Sequence, residues 1–115
     1  MARQRIAHLD EEKREWLNIT NFNVWRVLKL VNGGGRHIRA IMSLFKGSTF
    51  TLGTTVNSLV RWGLLSEDKE ETWPFKRTLA LTEDGVKMLG LLDEIGEMVK
   101  GIRSRIEVKE RLRRG

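Results

Sequence analysis

Residues 59–65 read Leu59-Val60-Arg61-Trp62-Gly63-Leu64-Leu65, a helix that ends and a strand that begins within seven positions. Backward from this point, Leu52, Val56, Leu59 and Val60 fall at i, i+4, i+7 and i+8, the spacing of one helix face. The pattern predicts a helix from near Thr49 to near Trp62, with Gly63 as its C-cap. Forward from it, Leu64-Leu65-Ser66-Glu67 opens a strand, and residues 68–74 form a loop. On the return arm, Phe75, Arg77, Leu79 and Leu81 alternate with Lys76, Thr78 and Ala80 at period two. Thr82 then caps a long helix, with Glu83 and Asp84 at the end where the helix dipole favours negative charge.

Upstream, Thr20 or Asn21 caps a helix running to about Asn32. Asn23, Arg26 and Lys29 make one narrow polar stripe on it. Phe22, Trp25, Val27, Leu28, Leu30 and Val31 cover the rest, so most of its surface is expected inside the protein. Gly33-Gly34-Gly35 ends it, with a left-handed cap expected. Because this triplet follows a helix and not a strand, it reads as a terminator rather than a phosphate cradle. Residues 36–45 predict a short helix that buries Ile38, Ile41, Met42 and Phe45, and Lys46-Gly47-Ser48 is a turn. At the start of the chain, residues 3–17 read as a polar helix with apolar points at Ile6, Leu9, Trp16 and Leu17, interrupted by Lys13. Its apolar surface is too small to fold alone, so it is expected to dock on something else.

The clearest periodicity lies in the last helix, expected over residues 83–108. Met88, Leu92, Ile95, Val99, Ile102 and Ile106 are spaced 4, 3, 4, 3 and 4, an a/d heptad stripe. Gly90, Gly96 and Gly101 each lower helix propensity by up to ~1 kcal/mol, or else admit a close helix contact. The stripe predicts a coiled-coil-like seam between two copies of the chain. The competing arrangement covers it with the chain's own helix 3–17.

The 115 residues are enough for one domain with a modest core. It divides into an N-terminal helix (1–17), a central unit (18–82) and a long C-terminal helix with a basic tail (83–115). The segment Met1-Ala2-Arg3-Gln4-Arg5 leads into charged residues rather than an apolar stretch, and no apolar run reaches the ~18 residues of a membrane span. A cytoplasmic protein without membrane contact is expected. Cysteine and tyrosine are absent, and His8 and His37 are the only histidines. No thiolate chemistry, metal site, cofactor or enzymatic activity is therefore expected.

The net charge is +6, and its distribution is more informative than its size. Between Asn18 and Leu65 there is no Asp or Glu, while Arg26, Lys29, Arg36, Arg39, Lys46 and Arg61 all fall there. Acids collect instead at 10–15, 67–71, 83–84 and 93–97, and the last sixteen residues are basic again. An acid-free segment in a chain with fifteen acids suggests a face that meets phosphates.

The phrase at 59–65 resembles the "L-x-x-x-G-L-[LIV]" close of the recognition helix in the winged helix-turn-helix family. Leu79-Ala80-Leu81-Thr82-Glu83-Asp84-Gly85 is similar to that family's "Y-x-L-T-x-x-G" exit from the wing. The resemblance covers residues 20 to about 95. It implies an α+β, mostly α fold: a three-helix core, a β-hairpin wing and a long C-terminal helix. It also implies that helix 49–62 enters the major groove of double-stranded DNA. The contact set expected from it is Arg36, His37, Arg39, Lys46, Ser48, Thr49, Thr51, Thr54, Thr55, Asn57, Ser58, Arg61, Lys76 and Arg77. Arg36, His37 and Arg39 would open the second helix, whose free amides attract phosphate. Phe50 and Gly53 also face outward; glycine at 53 fits either a close approach of backbone to DNA or fraying or a local bend of the helix. Asn57 can pair bidentately with adenine. The wing departs from the family pattern, because Glu67-Asp68-Lys69-Glu70-Glu71 repels phosphate; Trp73-Pro74-Phe75 is free to pack inward or against a partner.

The expected function is sequence-specific DNA binding as a homodimer, in transcription regulation. Two readings stand beside it, an architectural chromatin protein of low sequence specificity and a winged-helix protein-interaction module. Any small-molecule effector is left open.

Overall fold

The computed structural model describes the backbone at residues 2–33, 36–74 and 76–114, with side chains there except at residues 2–9 and Leu17. Its elements run α1 (Ala2–Ile19), α2 (Phe22–Asn32), α3 (Ile38–Leu44), α4 (Thr49–Arg61), β1 (Leu65–Lys69), β2 (Arg77–Leu81) and α5 (Glu83–Arg114). Asn21 is the N-cap of α2, its side chain accepting from the Val24 amide at 3.0 Å. Ser48 does the same for α4 through the Thr51 amide at 3.0 Å. Each cap satisfies an amide that the helix itself leaves without a partner.

α2, α3 and α4 close around Val24, Val27, Leu28, Val31, Ile41, Phe45, Leu52, Val56 and Leu59. β1 and β2 add Leu65 and Leu79, and α5 adds Leu89 and Leu92. The strands pair antiparallel from Leu65↔Leu81 to Lys69↔Arg77. No polar residue is buried among the described residues. Trp25 Nε1 donates to Asp93 Oδ1 at 2.7 Å and Lys29 Nζ lies 3.8 Å from the same oxygen, which fastens α2 to α5.

The two diagnostic phrases touch each other. After α4, Gly63 takes φ +75°. Its amide donates to Val60 O, and the Leu64 amide donates to Leu59 O. This pair of bonds is a Schellman close, and it needs the left-handed residue that glycine supplies. Thr82 Oγ1 then donates to Gly63 O at 2.6 Å and accepts from the Gly85 amide at 3.0 Å. Gly85 is buried against the same turn, and a Cβ there would lie 2.0 Å from Leu64 O.

Several expectations are corrected. Gly33 is the C-cap of α2 at φ −80°; Gly34, the position that would take the left-handed conformation, and Gly35 lie outside the described residues. The next helix begins at Ile38 rather than Arg36, because Arg36 and His37 are extended and join the hairpin. Leu79 N donates to Arg36 O at 2.6 Å, and His37 bridges Thr78. Met42 and Phe22 are exposed rather than buried, whereas Val24, absent from the expected buried set, is in the core. β1 extends to Lys69, and β2 runs from Arg77; Phe75 lies outside the described residues. α5 runs to Arg114, so the basic tail is part of the helix. Ile6, Leu9 and Leu17 lie outside the described side chains.

Only the first turns of the α5 stripe reach the core. Met88 is half-buried and Leu92 buried, while Ile95, Val99, Ile102 and Ile106 are 45–51% exposed. Of the α1 residues that could cover them, Trp16 is 65% exposed, and the side chains of Ile6, Leu9 and Leu17 lie outside those described. An open apolar cleft of about 570 Å³ lies between Trp16 and Ile19 of α1 and Met88, Leu91, Ile95 and Met98 of α5. A Cβ built at Gly96 would meet the Trp25 ring at ordinary contact distance, and nothing lies within 4 Å of one built at Gly90 or Gly101.

Candidate nucleic-acid interface

α4 carries Leu52, Val56 and Leu59 into the core and leaves the opposite side at the surface. Thr49, Phe50, Thr54, Asn57 and Arg61 are exposed; Thr51, Gly53, Thr55 and Ser58 are half-buried. That face has no acid and a single base, unlike the Lys/Glu-rich side of an ordinary surface helix. Its hydroxyls are partly committed. Thr54 Oγ1 and Thr55 Oγ1 both donate to Thr51 O, at 3.0 and 2.8 Å. Ser48 Oγ donates to Thr51 Oγ1 at 2.7 Å while it caps the helix. Thr54 and Thr55 therefore keep acceptor lone pairs and methyl groups for a ligand, whereas Thr51, which accepts from Ser48, keeps its O–H as a donor. Nothing lies within 4 Å of a Cβ built at Gly53, so no packing inside the subunit demands glycine there.

The six bases of the acid-free segment separate into two groups. Arg26 lies 4.5 Å from the Phe45 ring centre and donates to Lys46 O at 3.3 Å. Lys29 covers the Trp25 ring at 4.6 Å. Both brace the core. Arg36, Arg39, Lys46 and Arg61 stand exposed on the elements around α4. In sequence, the only trace of this division is that Arg26 and Lys29 share the narrow polar stripe of α2.

The wing is less acidic toward α4 than its sequence implies. Glu67 binds Arg77 Nη2 at 2.7 Å and Lys69 Nζ at 3.1 Å, with its side chain only 11% exposed. The Arg77 hydrogen bond holds the Glu67 carboxyl below its ordinary value of 4.5, with Lys69 helping, against the opposite push of burial. Arg77 Nη2 also donates to Asn57 Oδ1 at 3.1 Å, joining wing to α4. Lys76, Arg77 and Pro74 of the wing and His37, Ile38 and Arg39 line a shallow cleft of about 300 Å³. His37 is exposed and makes no side-chain cap to α3. Trp73 is 82% exposed, so it does not pack inward; Phe75 lies outside the described residues. Among the described residues no group of three His, Cys, Asp or Glu is placed to hold a metal ion, and no helix is long and apolar enough to cross a membrane.

No family model matches the chain, and no curated protein matches it. Solved structures do. The PcaV transcriptional regulator of Streptomyces coelicolor is 18% identical over 90% of this chain and 96% of its own, with a TM-score of 0.58. A SlyA-like transcription regulator from Listeria monocytogenes is 14% identical over 89% of this chain and 68% of its own, with a TM-score of 0.65. MepR of S. aureus in complex with DNA is 14% identical over 96% of this chain and 94% of its own, with a TM-score of 0.59.

The fold is a winged helix-turn-helix. In its terms α3 and α4 form the helix-turn-helix, the β1–β2 hairpin is the wing, and His37 makes an isolated bridge to Thr78 at the wing's base. The fold is shared at an identity that leaves the surface chemistry to be argued from this chain's own residues.

Proposed function

We propose that this chain is a homodimeric, sequence-specific double-stranded DNA-binding protein that regulates transcription and catalyses no reaction. The observation that carries the reading is the outward face of α4. It is a threonine, serine and asparagine surface without an acid, set among the exposed cations Arg39, Lys46 and Arg61. Such side chains suit base edges and thymine methyls in the major groove, while the surrounding cations suit phosphates. The fold shared with transcription regulators, one of them solved on DNA, supports the same placement.

The half-exposed stripe of α5 supports the dimer. Burying each such side chain contributes ~1.5–3 kcal/mol, and a second α5 is the simplest cover. Two-fold symmetry would then present two α4 helices to a pseudo-palindromic site.

If Arg36, Arg39, Lys46 and Arg61 of both subunits meet phosphates, about 6–8 contacts form, and log K falls against log[salt] with a slope of about −5 to −7. Asn57→Ala is expected to remove discrimination at one base by ~1–3 kcal/mol, and Arg39→Ala to weaken all sequences alike. A slope near zero on duplex DNA refutes the reading. The exposed basic end of α5, Lys100 to Arg114, favours one second reading, an architectural protein that coats DNA. The ratio of specific to random-sequence affinity separates the two.

A further inference from the structure

The inner face of the wing changes character along its length. Leu65, Glu67 and Lys69 of β1 share that face with Leu81, Leu79 and Arg77 of β2, because the register pairs Leu65↔Leu81, Glu67↔Leu79 and Lys69↔Arg77. At the base the face is core: Leu65 and Leu79 are buried. One step outward, Glu67 and Arg77 are diagonal neighbours and close an ion pair at 2.7 Å, with side chains 11% and 23% exposed. The nitrogen that meets Glu67 also reaches across to α4 and donates to Asn57 Oδ1. The residues are contributed by three elements, and none of these bonds is a local helix or turn contact.

Arginine carries donors only, so only the oxygen of the Asn57 amide can face it. The amide is thereby oriented: Arg77 takes one of the two Oδ1 lone pairs and turns that oxygen to the wing, so that Nδ2, a pure donor, is the group Asn57 turns to a ligand on the other side. The major-groove edge of adenine, an N7 acceptor beside an N6 donor, needs oxygen and nitrogen of one amide turned to the same base. The edge of guanine, N7 beside O6, offers two acceptors and can be met by the NH2 group alone. We propose that Arg77, anchored by Glu67, is a positioning residue that holds Asn57 as a hydrogen-bond donor and so makes it select guanine rather than adenine. This rests on the placement of α4 in the major groove, and it replaces the adenine pairing that the sequence suggests for Asn57.

The test selects binding sites from a random duplex pool with the wild-type protein and with Asn57→Ala, Arg77→Met and Glu67→Gln. The base column flattened by Asn57→Ala is the one Asn57 reads. In the wild type that column is expected to favour guanine over adenine, on the order of tenfold. Arg77→Met, which keeps bulk but donates nothing, is expected to move that column toward adenine and leave the other columns unchanged. Glu67→Gln, which loosens the anchor, moves it the same way by less. In the free protein, NMR resonances of the Asn57 side-chain amide and the Arg77 guanidinium are expected to shift when the other residue is substituted. An adenine-preferring wild-type column overturns the inference, as does an Arg77→Met protein that loses affinity evenly with that column intact. So does the absence of reciprocal NMR shifts. Those results, obtained with the steep salt slope preserved, leave the DNA-binding reading standing; failure of the wild type to bind any duplex removes both.

Discussion

Among the described glycines, Gly85 has the least room for a side chain. Any side chain there enters the carbonyl of Leu64, where α4 turns into β1. The listener to that clash is backbone held on both sides by Thr82 bonds, so it cannot move aside cheaply. Gly85→Ala is expected to lower stability by about 3 kcal/mol, at the high end of overpacking costs, as a fall in denaturation midpoint at unchanged slope. Gly53 is the opposite case. A methyl group there meets nothing inside the subunit, and alanine gains up to ~1 kcal/mol of helix propensity. Gly53→Ala is expected to raise the unfolding midpoint while weakening duplex binding. A stabilised variant with unchanged affinity would show that α4 does not approach DNA closely at this point.

At the scale of elements, the wing is joined to α4 by Glu67, Arg77 and Asn57, and the first of these gives the hairpin a pH signature. The Arg77 hydrogen bond lowers the folded-state pKa of Glu67 below 4.5. The unfolded chain therefore takes up the proton first as pH falls. The pair's contribution is present in full above about 4.5 and is lost as pH drops through the folded value. Unfolding free energy measured by denaturant is expected to decline over that acid range, and less steeply in Glu67→Gln. Equal slopes in both proteins would mean that the pair contributes nothing measurable. Of the acidic run of the wing, Glu67 alone turns inward to a cation, while Asp68, Glu70 and Glu71 stay exposed. Charge along a sequence does not reveal which carboxylate turns inward to meet a cation from the facing strand.

For the whole molecule, the radius of gyration is 18.2 Å and the extents are 64 × 48 × 27 Å. A compact chain of this length has a radius of about 13 Å. α5, whose 32 residues extend about 48 Å at 1.5 Å per residue, contributes to the excess. Its outer half keeps Ile95, Val99, Ile102 and Ile106 partly in solvent, a contiguous apolar stripe of a kind monomers rarely leave open. A solution mass of about twice 13.3 kDa is expected. The double variant Ile95→Glu, Ile102→Glu is expected to dissociate and to lose DNA affinity, since each half-site alone gains only one set of contacts. A wild-type monomer at micromolar concentration would remove the dimer.

The sequence alone determined the order of helices, the wing and its exit, because these follow from local rules. The periods of Leu52, Val56 and Leu59 and of Leu79 and Leu81, the glycine close at Gly63 and the cap at Thr82 each act within a few residues. It also determined that α5 carries more apolar surface than one small core needs. What only the tertiary structure decided were relations between distant segments. Arg36 and His37 are strand-like because the edge of β2 supplies their pairing. Arg26 and Lys29 brace aromatic rings, whereas Arg39, Lys46 and Arg61 stay free, although all five look alike in a charge count. Gly85 is obligatory because Leu64 backs onto it, and the Asn57 amide is oriented by an arginine twenty residues away. Local periodicity reports which face of an element is apolar; the partner that each polar group finds is settled only when the elements pack.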